Sequence, residues 1–565
     1  MSAVPSIVAS FVEHAATGSR DNILVIDNEK ITYGQLLCRV AQLKRFFESS
    51  GIACGDNVLI TVSPSVDFYA SVLAVFSIGA VVVVLDTSMG LKRANYCIQL
   101  AKPVAWIHRR GEYWYFKYIS TAIRAIPLDV LITDAPPIDP KTPVQVTTSE
   151  RALATFTTGS TGLPKIMYRT HNFLLHQSRA VSHTYMKIHG INPAGFVMGS
   201  PQEGTETGFT NMPILFLHQL KLGATSMLHS KIKSYEPASV VALMEDTGIT
   251  NSVLSPAIAY QLCLYCTEHN RRLPTKVIAV GGAPIYRHMA DVMLKAMMDQ
   301  RVIIVYGSTE AEPISFTDAN TKVAKESESD FMGHFVGTSF IEGGVRIVQI
   351  DADALRKVED VQLSQGEVGE IIVSGWNVNT EDAPESRILK DQYGKLWLKL
   401  GDAGFLDKDG NLWLVGRVSW LVERNGKRHW SIITEEKVLQ FLRDDATLAA
   451  YLYRNSQAHL IIEAPNGLNT RQEKRLRLYL QTEDIPVDCM KIYKTMPRDR
   501  RHNSKPDMAQ LFSDKKPLVV KVLVIVIGTV AFAWLLKQCN LQLALYLALA
   551  SLLVVSWMLC SLCIV

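Results

Sequence analysis

Apolar residues recur at helical spacing through the first stretch of the chain (Ile7, Val8, Phe11, Val12, Ala15), and the run 23–26 then reads as a strand that ends at Asp27 and Asn28. Thr32 is placed to cap a second helix whose inward positions are Leu36, Leu37, Val40, Leu43 and Phe46, and Gly51 closes it before a strand over 57–61. A helix over 66–79 leads into 80–85, an almost wholly apolar run of the kind expected for a strand buried on both faces. The alternation continues with strands at 105–108, 130–133 and 152–156 and with helices over 171–186, 237–248 and 255–270 that would cover sheet faces. Two further strands, 276–283 and 301–306, run straight into polar turns. This is the pattern of an α/β protein, in which ligands lie outside the carboxyl ends of the strands.

After Gly333 the character changes to short strands and glycine turns (GGVRIVQI, GEVGEIIVSG, LWLKLGDAGFLDKDGNLWLVGR), which predicts a small β-subdomain. The expected organisation is a large domain over 1–417 made of α/β subdomains plus that β-subdomain, a mobile small α+β domain over 418–514, and a tail over 515–565. The tail holds two apolar runs, 518–536 broken only by Lys521 and 541–565. As helices they would reach about 28 and 37 Å, against a bilayer core of about 30 Å. The expectation is therefore a transmembrane helical hairpin that contacts membrane lipid, with Lys515 and Lys516 on the positive-inside flank.

The charge balance changes the picture only by exclusion. With 58 Lys and Arg against 54 Asp and Glu over 565 residues, the net charge of +4 lacks the basic excess of a nucleic-acid binder. Nine scattered cysteines point to a reducing compartment, and the Cys263–Cys266 pair lies in a helical run with no second pair at zinc spacing, so both read as core residues. The first residues show no basic stretch followed by an apolar core, hence no secretory signal.

Candidate chemistry begins at 155–165, TFTTGSTGLPK. Gly159 and Gly162 let the backbone turn and bring amide N–H groups up to an anion, Thr157, Thr158, Ser160 and Thr161 add hydroxyls, and Lys165 adds a mobile positive charge. The glycine spacing is not that of a Walker loop, and taken alone the string is equally a solvated turn.

Taken with the turns that follow it in order, the loop resembles the motif series of the adenylate-forming (AMP-binding) superfamily, which contains acyl-CoA synthetases, peptide-synthetase adenylation domains and luciferases. TTGSTGLPK is similar to its phosphate loop, GGAP at 281–284 and YGSTE at 306–310 to its adenine and magnesium segments, and GEVGEIIVSG, LGDAGFLDKDG and GR at 416–417 to its β-subdomain and hinge approach. DTSMGLKRANYCIQLAKP, YRTHNFLLHQ and PRDRRHNSKPD further resemble the fatty-acid-ligase-like branch that includes the β-lactone synthetases of olefin biosynthesis.

The resemblance implies an ATP-dependent acid ligase with ATP and magnesium as cofactors and a fatty-acid-type carboxylate as substrate. The loop from Thr157 to Lys165 would hold the β- and γ-phosphates, Gly281, Gly282, Ala283, Tyr306 and Gly307 would line the adenine, Thr309 would meet the α-phosphate, and Glu310 would ligate magnesium. Asp402 would accept both ribose hydroxyls with Arg417 beside it, and Lys505 would be swung in by the small domain. On their own Thr309 reads as a helix cap, Glu310 as a solvated carboxylate, Asp402 as a turn residue and Lys505 as part of a basic run beside the tail. Because ATP is cytosolic, a membrane-anchored enzyme facing the cytosol is expected.

The hinge GRVSWLVERNGKRHW departs from the family, with Ser419 where an aspartate is usual and Val422 near a missing lysine. That leaves three outcomes open: transfer of the acyl group to coenzyme A, β-lactone closure of a β-hydroxy acid without coenzyme A, and a silent nucleotide-binding scaffold.

Overall fold

The computed structural model describes residues 6–16, 22–26, 29–85, 91–109, 123–129, 150–158, 164–177, 207–210, 216–217, 220, 225–228, 236–298, 300–328, 331–498 and 505–512. Its first layer is a six-stranded sheet in the order Arg124–Pro127, Ala105–His108, Asn57–Ile60, Val81–Val84, Arg151–Thr158, Pro164–Thr170. The first five strands run parallel and the last turns back antiparallel, so that Thr157 faces Lys165 and Thr158 faces Pro164 across the ends that flank 159–163. Valines fill the central strand because helices cover both faces. The helix Val66–Ile78 is buried along its whole length, capped by the Ser65 hydroxyl at one end and by left-handed Gly79 at the other.

The second layer is one continuous 14-stranded sheet that changes character at the strand Arg301–Ser308. On one side lie parallel strands, among them Asn251–Leu254 and Val277–Gly281. On the other, Ala311–Asp318, His334–Ser339, Leu412–Arg417 and Leu396–Leu406 follow antiparallel. The short strands after Gly333 thus extend the large sheet through His334–Ser339. Cys263 and Cys266 are buried in the core beneath it, and burial raises both thiols, Cys266 to about 11.

At Arg417 the chain leaves this sheet through the turn Val418–Trp420 and a two-stranded hairpin, Val422–Arg424 with Lys427–His429. The helix Ser431–Leu442 and the sheet Leu448–Arg454, Gln457–Glu463, Cys489–Tyr493 form a small domain with the helix Thr470–Thr482. Its contact with the large domain contains buried ionisable groups. Tyr286, just before the helix Arg287–Met297, donates its hydroxyl to Glu435 Oε2 at 2.9 Å, and Tyr451 N–H donates to Glu435 Oε1 at 2.9 Å. Glu436 Oε2 accepts from Arg287 N–H at 3.4 Å and lies 3.5 Å from His334 Nε2, with the buried Lys322–Glu326 pair close by in the same layer.

The expected membrane architecture is corrected. Among the described residues no helix is long and apolar enough to cross a membrane. The longest described, Tyr33–Ser49, has 17 residues and one polar face, and the most apolar, Val66–Ile78, is 13 residues long and wholly covered by protein. The runs 518–536 and 541–565 lie outside the described residues. The fold is mixed α/β with no support for the transmembrane hairpin, nor for the membrane-anchored localisation and lipid contact that depended on it. The strand expected at 130–133 also lies outside the described residues; Arg124–Pro127 is the edge strand there.

Candidate active site

The strands Val277–Gly281 and Arg301–Ser308 run parallel and side by side, so their carboxyl ends open on the same edge of the large sheet. Gly281 ends the first strand opposite Val305, and a Cβ there would sit 2.6 Å from the Val305 carbonyl oxygen, closer than any side chain allows. Gly282 follows with φ +95°, a conformation that favours glycine. Ala283 is half-buried beyond it. These residues leave backbone rather than side chains beside the end of the Tyr306 strand.

Tyr306 donates its hydroxyl to Asp402 Oδ2 at 2.8 Å, and Arg417 Nε meets the other carboxylate oxygen at 2.9 Å. Asp402 and Arg417 face each other across the Leu396–Leu406 and Leu412–Arg417 pair, so the register of the sheet sets that ion pair. Gly401, with φ +73° and its N–H on Glu370 Oε1 at 3.2 Å, turns the chain just ahead of Asp402. Burial, and then the Asp402 carboxylate, push the Tyr306 phenol well above its ordinary range, so it stays a donor. The same carboxylate raises Arg417. Together they form a small polar floor with an aromatic face, an acceptor with two oxygens and a fixed cation.

Thr309 and Glu310 form the tip of the antiparallel hairpin between Arg301–Ser308 and Ala311–Asp318. Thr309 is therefore no helix cap. A Cβ on Gly307 would lie 3.1 Å from the Ala311 carbonyl oxygen, which keeps the tip narrow, and Ala311 N–H bonds to Ser308 Oγ at 3.2 Å. The Glu310 carboxylate is not simply solvated either, since Arg387 Nη1 lies 3.2 Å from Oε1 while Arg387 Nε and Nη2 both donate to the Lys399 carbonyl at 2.9 and 2.8 Å.

The strands that carry the loop 155–165 reach this tip. Thr157 and Thr158 end one strand, Lys165 is exposed near the start of the next, and Gly159, Ser160, Thr161 and Gly162 lie outside the described residues. Lys505 is exposed on the small domain, next to Pro506, which bridges to Arg498. Tyr306, Asp402 and Arg417 are thus joined directly, with Glu310 contributing to the charge that raises Arg417.

Sequence reading missed Arg169, Asn379, Asp382 and Arg387. Asp382 Oδ2 accepts the Tyr168 N–H at 2.7 Å and Asn379 Nδ2 donates to the Tyr168 carbonyl at 2.5 Å, fastening the segment after Val373 to the loop-bearing strand. One signal was available for Arg169. It stands two positions after the inward-facing Met167, where strand alternation puts an arginine inside.

The AMP-binding enzyme family matches residues 11–380 of the chain. An olefin beta-lactone synthetase of Stenotrophomonas maltophilia (strain K279a) is 25% identical over 427 residues, covering 70% of this chain and 73% of that protein. Among solved structures, the amide bond synthetase from Marinactinospora thermotolerans has a TM-score of 0.71 at 18% identity, covering 90% of this chain and all of that one (100%). The O-succinylbenzoate coenzyme A synthetase from Bacillus subtilis in complex with ATP and magnesium has a TM-score of 0.68 at 16% identity, covering 89% and 99% of the two chains.

Proposed function

Because the chain belongs to the AMP-binding enzyme family, we propose that it activates a β-hydroxy acid of the fatty-acid type with ATP and closes the acyl adenylate to a β-lactone. In the first step a carboxylate oxygen attacks the α-phosphorus and the bond to the β-phosphate breaks, releasing pyrophosphate. An anion attacks a polyanion here, so the barrier is mainly charge repulsion, and fixed donors and cations lower it more than a protein nucleophile would. Tyr306 stacks on the adenine, Asp402 accepts the ribose hydroxyls, Arg417 holds the Asp402 carboxylate in place through their ion pair, and Thr309 donates to the α-phosphate. In the second step the β-hydroxyl oxygen attacks the acyl carbon, the bond to AMP breaks, and the hydroxyl proton leaves to solvent.

Glu310 is the residue that would hold magnesium. Among the described residues no group of three or more His, Cys, Asp or Glu side chains could hold a metal. A lone carboxylate fits a magnesium ion that takes its remaining ligands from substrate phosphates and water. When bound, the ion neutralises charge on the phosphate oxygens. Replacing Glu310 by glutamine keeps the shape and removes the hard anionic ligand, so the magnesium concentration for half-maximal pyrophosphate release rises roughly tenfold. An unaltered magnesium titration counts against this role.

The lactone branch rests on the altered hinge. Ser419 stands where the family has an aspartate, and the lysine expected a few residues on is missing from the segment that in the family meets the pantetheine thiol; nearby Val422 is 0% exposed, packed in the core shared by the two domains. The likeness to olefin beta-lactone synthetases supports the same branch. The test is pyrophosphate release over a panel of simple and β-hydroxy fatty acids, with and without coenzyme A, and products identified by mass spectrometry. The expected result is a product 18 mass units lighter than the β-hydroxy acid, with turnover indifferent to coenzyme A. Robust acyl-CoA formation from simple fatty acids would instead make coenzyme A transfer the second half-reaction.

A further inference from the structure

Arg169 is 2% exposed, and its guanidinium lies between the two sheets of the large domain. Nη1 donates to Thr155 Oγ1 at 2.9 Å, in the strand that enters the loop 159–163, while Arg169 itself belongs to the strand that leaves it. Nη2 donates to the Thr309 carbonyl at 3.3 Å. The next carbonyl of the tip, that of Glu310, accepts from Asn379 N–H at 2.7 Å, and Asn379 is tied through its side chain to Tyr168, the neighbour of Arg169. Consecutive residues of one strand, Tyr168 and Arg169, thus hold consecutive carbonyls of the hairpin tip. One acts through Asn379 and the other directly.

We propose that Arg169 is a positioning residue for adenylation, which orients the Thr309–Glu310 peptide against the two strands that flank the phosphate loop. The inference rests on the roles given above to Thr309 and Glu310. A hairpin tip held only by its own ladder can rock about the strand axis, and its register already shifts between Tyr306 and Ser308. Taking the Thr309 carbonyl from behind removes that freedom. The peptide that follows is trans and planar, so the Glu310 N–H must point away from Arg169, and the donors of the tip are set in one direction. Arginine suits the task because its planar fork reaches two acceptors at fixed angles and stays charged when buried; lysine has a single point of attachment. A displacement of about 1 Å in such a site costs on the order of 10²-fold in rate.

The experiment measures acid-dependent ATP–pyrophosphate exchange, with ATP and magnesium titrated separately, in Arg169→Gln, Arg169→Lys and Thr155→Val. The expected result is a kcat lowered by roughly 10- to 100-fold in Arg169→Gln, with KM for ATP changed by less than about threefold, because position rather than ground-state binding is lost. Arg169→Lys recovers part of the loss. Thr155→Val, which removes one anchor of the fork and leaves the buried charge in place, falls between wild type and Arg169→Lys. Equal kcat in Arg169→Gln and wild type overturns the inference, and so does a loss that appears wholly in KM. If Arg169→Gln does not fold, Thr155→Val decides: an unchanged kcat overturns the proposal and a reduced one at unchanged KM upholds it. Thr309→Val and Glu310→Gln run in parallel. If they impair exchange while the Arg169 and Thr155 variants do not, the inference alone fails; if none has an effect, the roles of Thr309 and Glu310 fail with it.

Discussion

Lys505→Ala slows acyl-adenylate formation by roughly 10²- to 10³-fold, the loss expected when one preorganised charge is removed from a site where negative charge is redistributed. ATP affinity is expected to change by less than about threefold, because in the proposed role the small domain would bring in a charge that acts on the transition state and hardly on the bound nucleotide. The geometry motivates the split. Tyr306, Asp402 and Arg417 complete one another's hydrogen bonds within the large domain, whereas Lys505 is exposed on the small one. Single-turnover adenylate formation, read beside equilibrium ATP binding, separates the two quantities. Undiminished pyrophosphate exchange in the variant would end the assignment.

The second large effect is on stability and its pH dependence. Burial lifts the Glu435 carboxyl to about 7 from its ordinary 4.5, and the hydrogen bonds from Tyr451 N–H and the Tyr286 hydroxyl only partly oppose it. The folded protein therefore keeps this proton to higher pH than the unfolded chain does. Between about 4.5 and 7 folding loses stability as pH rises, in total on the order of 3 kcal/mol, and above that window the loss is complete. The groups facing Glu435 are Tyr286, Tyr451 and Glu436. Glu436 shifts the other way: burial would raise it, but His334, the Arg287 N–H and Lys322 together lower it. Its own contribution is present above about 4.5 and is lost only in more acid solution. Glu435→Gln keeps an acceptor for Tyr451 and cannot ionise. The variant is expected to be more stable than wild type at pH 8 by about 2–3 kcal/mol, with the difference shrinking towards pH 5. Denaturant midpoints across that range test it, and parallel pH profiles for the two proteins rule it out.

The α/β order could be read along the chain because local pattern carries it. Helical spacing at Leu36, Leu37, Val40 and Leu43, and the apolar run at 81–84, reflect faces that must be covered, and each face lies within a single element. The glycines at 281 and 282 were legible for a related reason. A backbone that must pass within 2.6 Å of a carbonyl, or turn with φ +95°, leaves a mark at one position. The apolar runs of the tail lie outside the described residues, and among those described no helix is long and apolar enough to cross a membrane.

Motif order along the chain was enough to name Tyr306, Thr309, Glu310, Asp402 and Arg417 as candidates, because each lies in a short glycine-bearing string that is written locally, although Tyr306, Asp402 and Arg417 prove to stand within strands. Pairing was not written there. That Glu310 meets Arg387, that Arg169 reaches Thr309, and that Tyr286 bonds Glu435 all depend on elements separated by 77, 140 and 149 positions. No periodicity spans such distances. The antiparallel continuation of the large sheet beyond Arg301–Ser308 and the packing of Ser431–Leu442 against it set which side chains share a low-dielectric interior. The same packing turns Glu435, unremarkable in sequence, into a carboxyl that holds its proton to about 7.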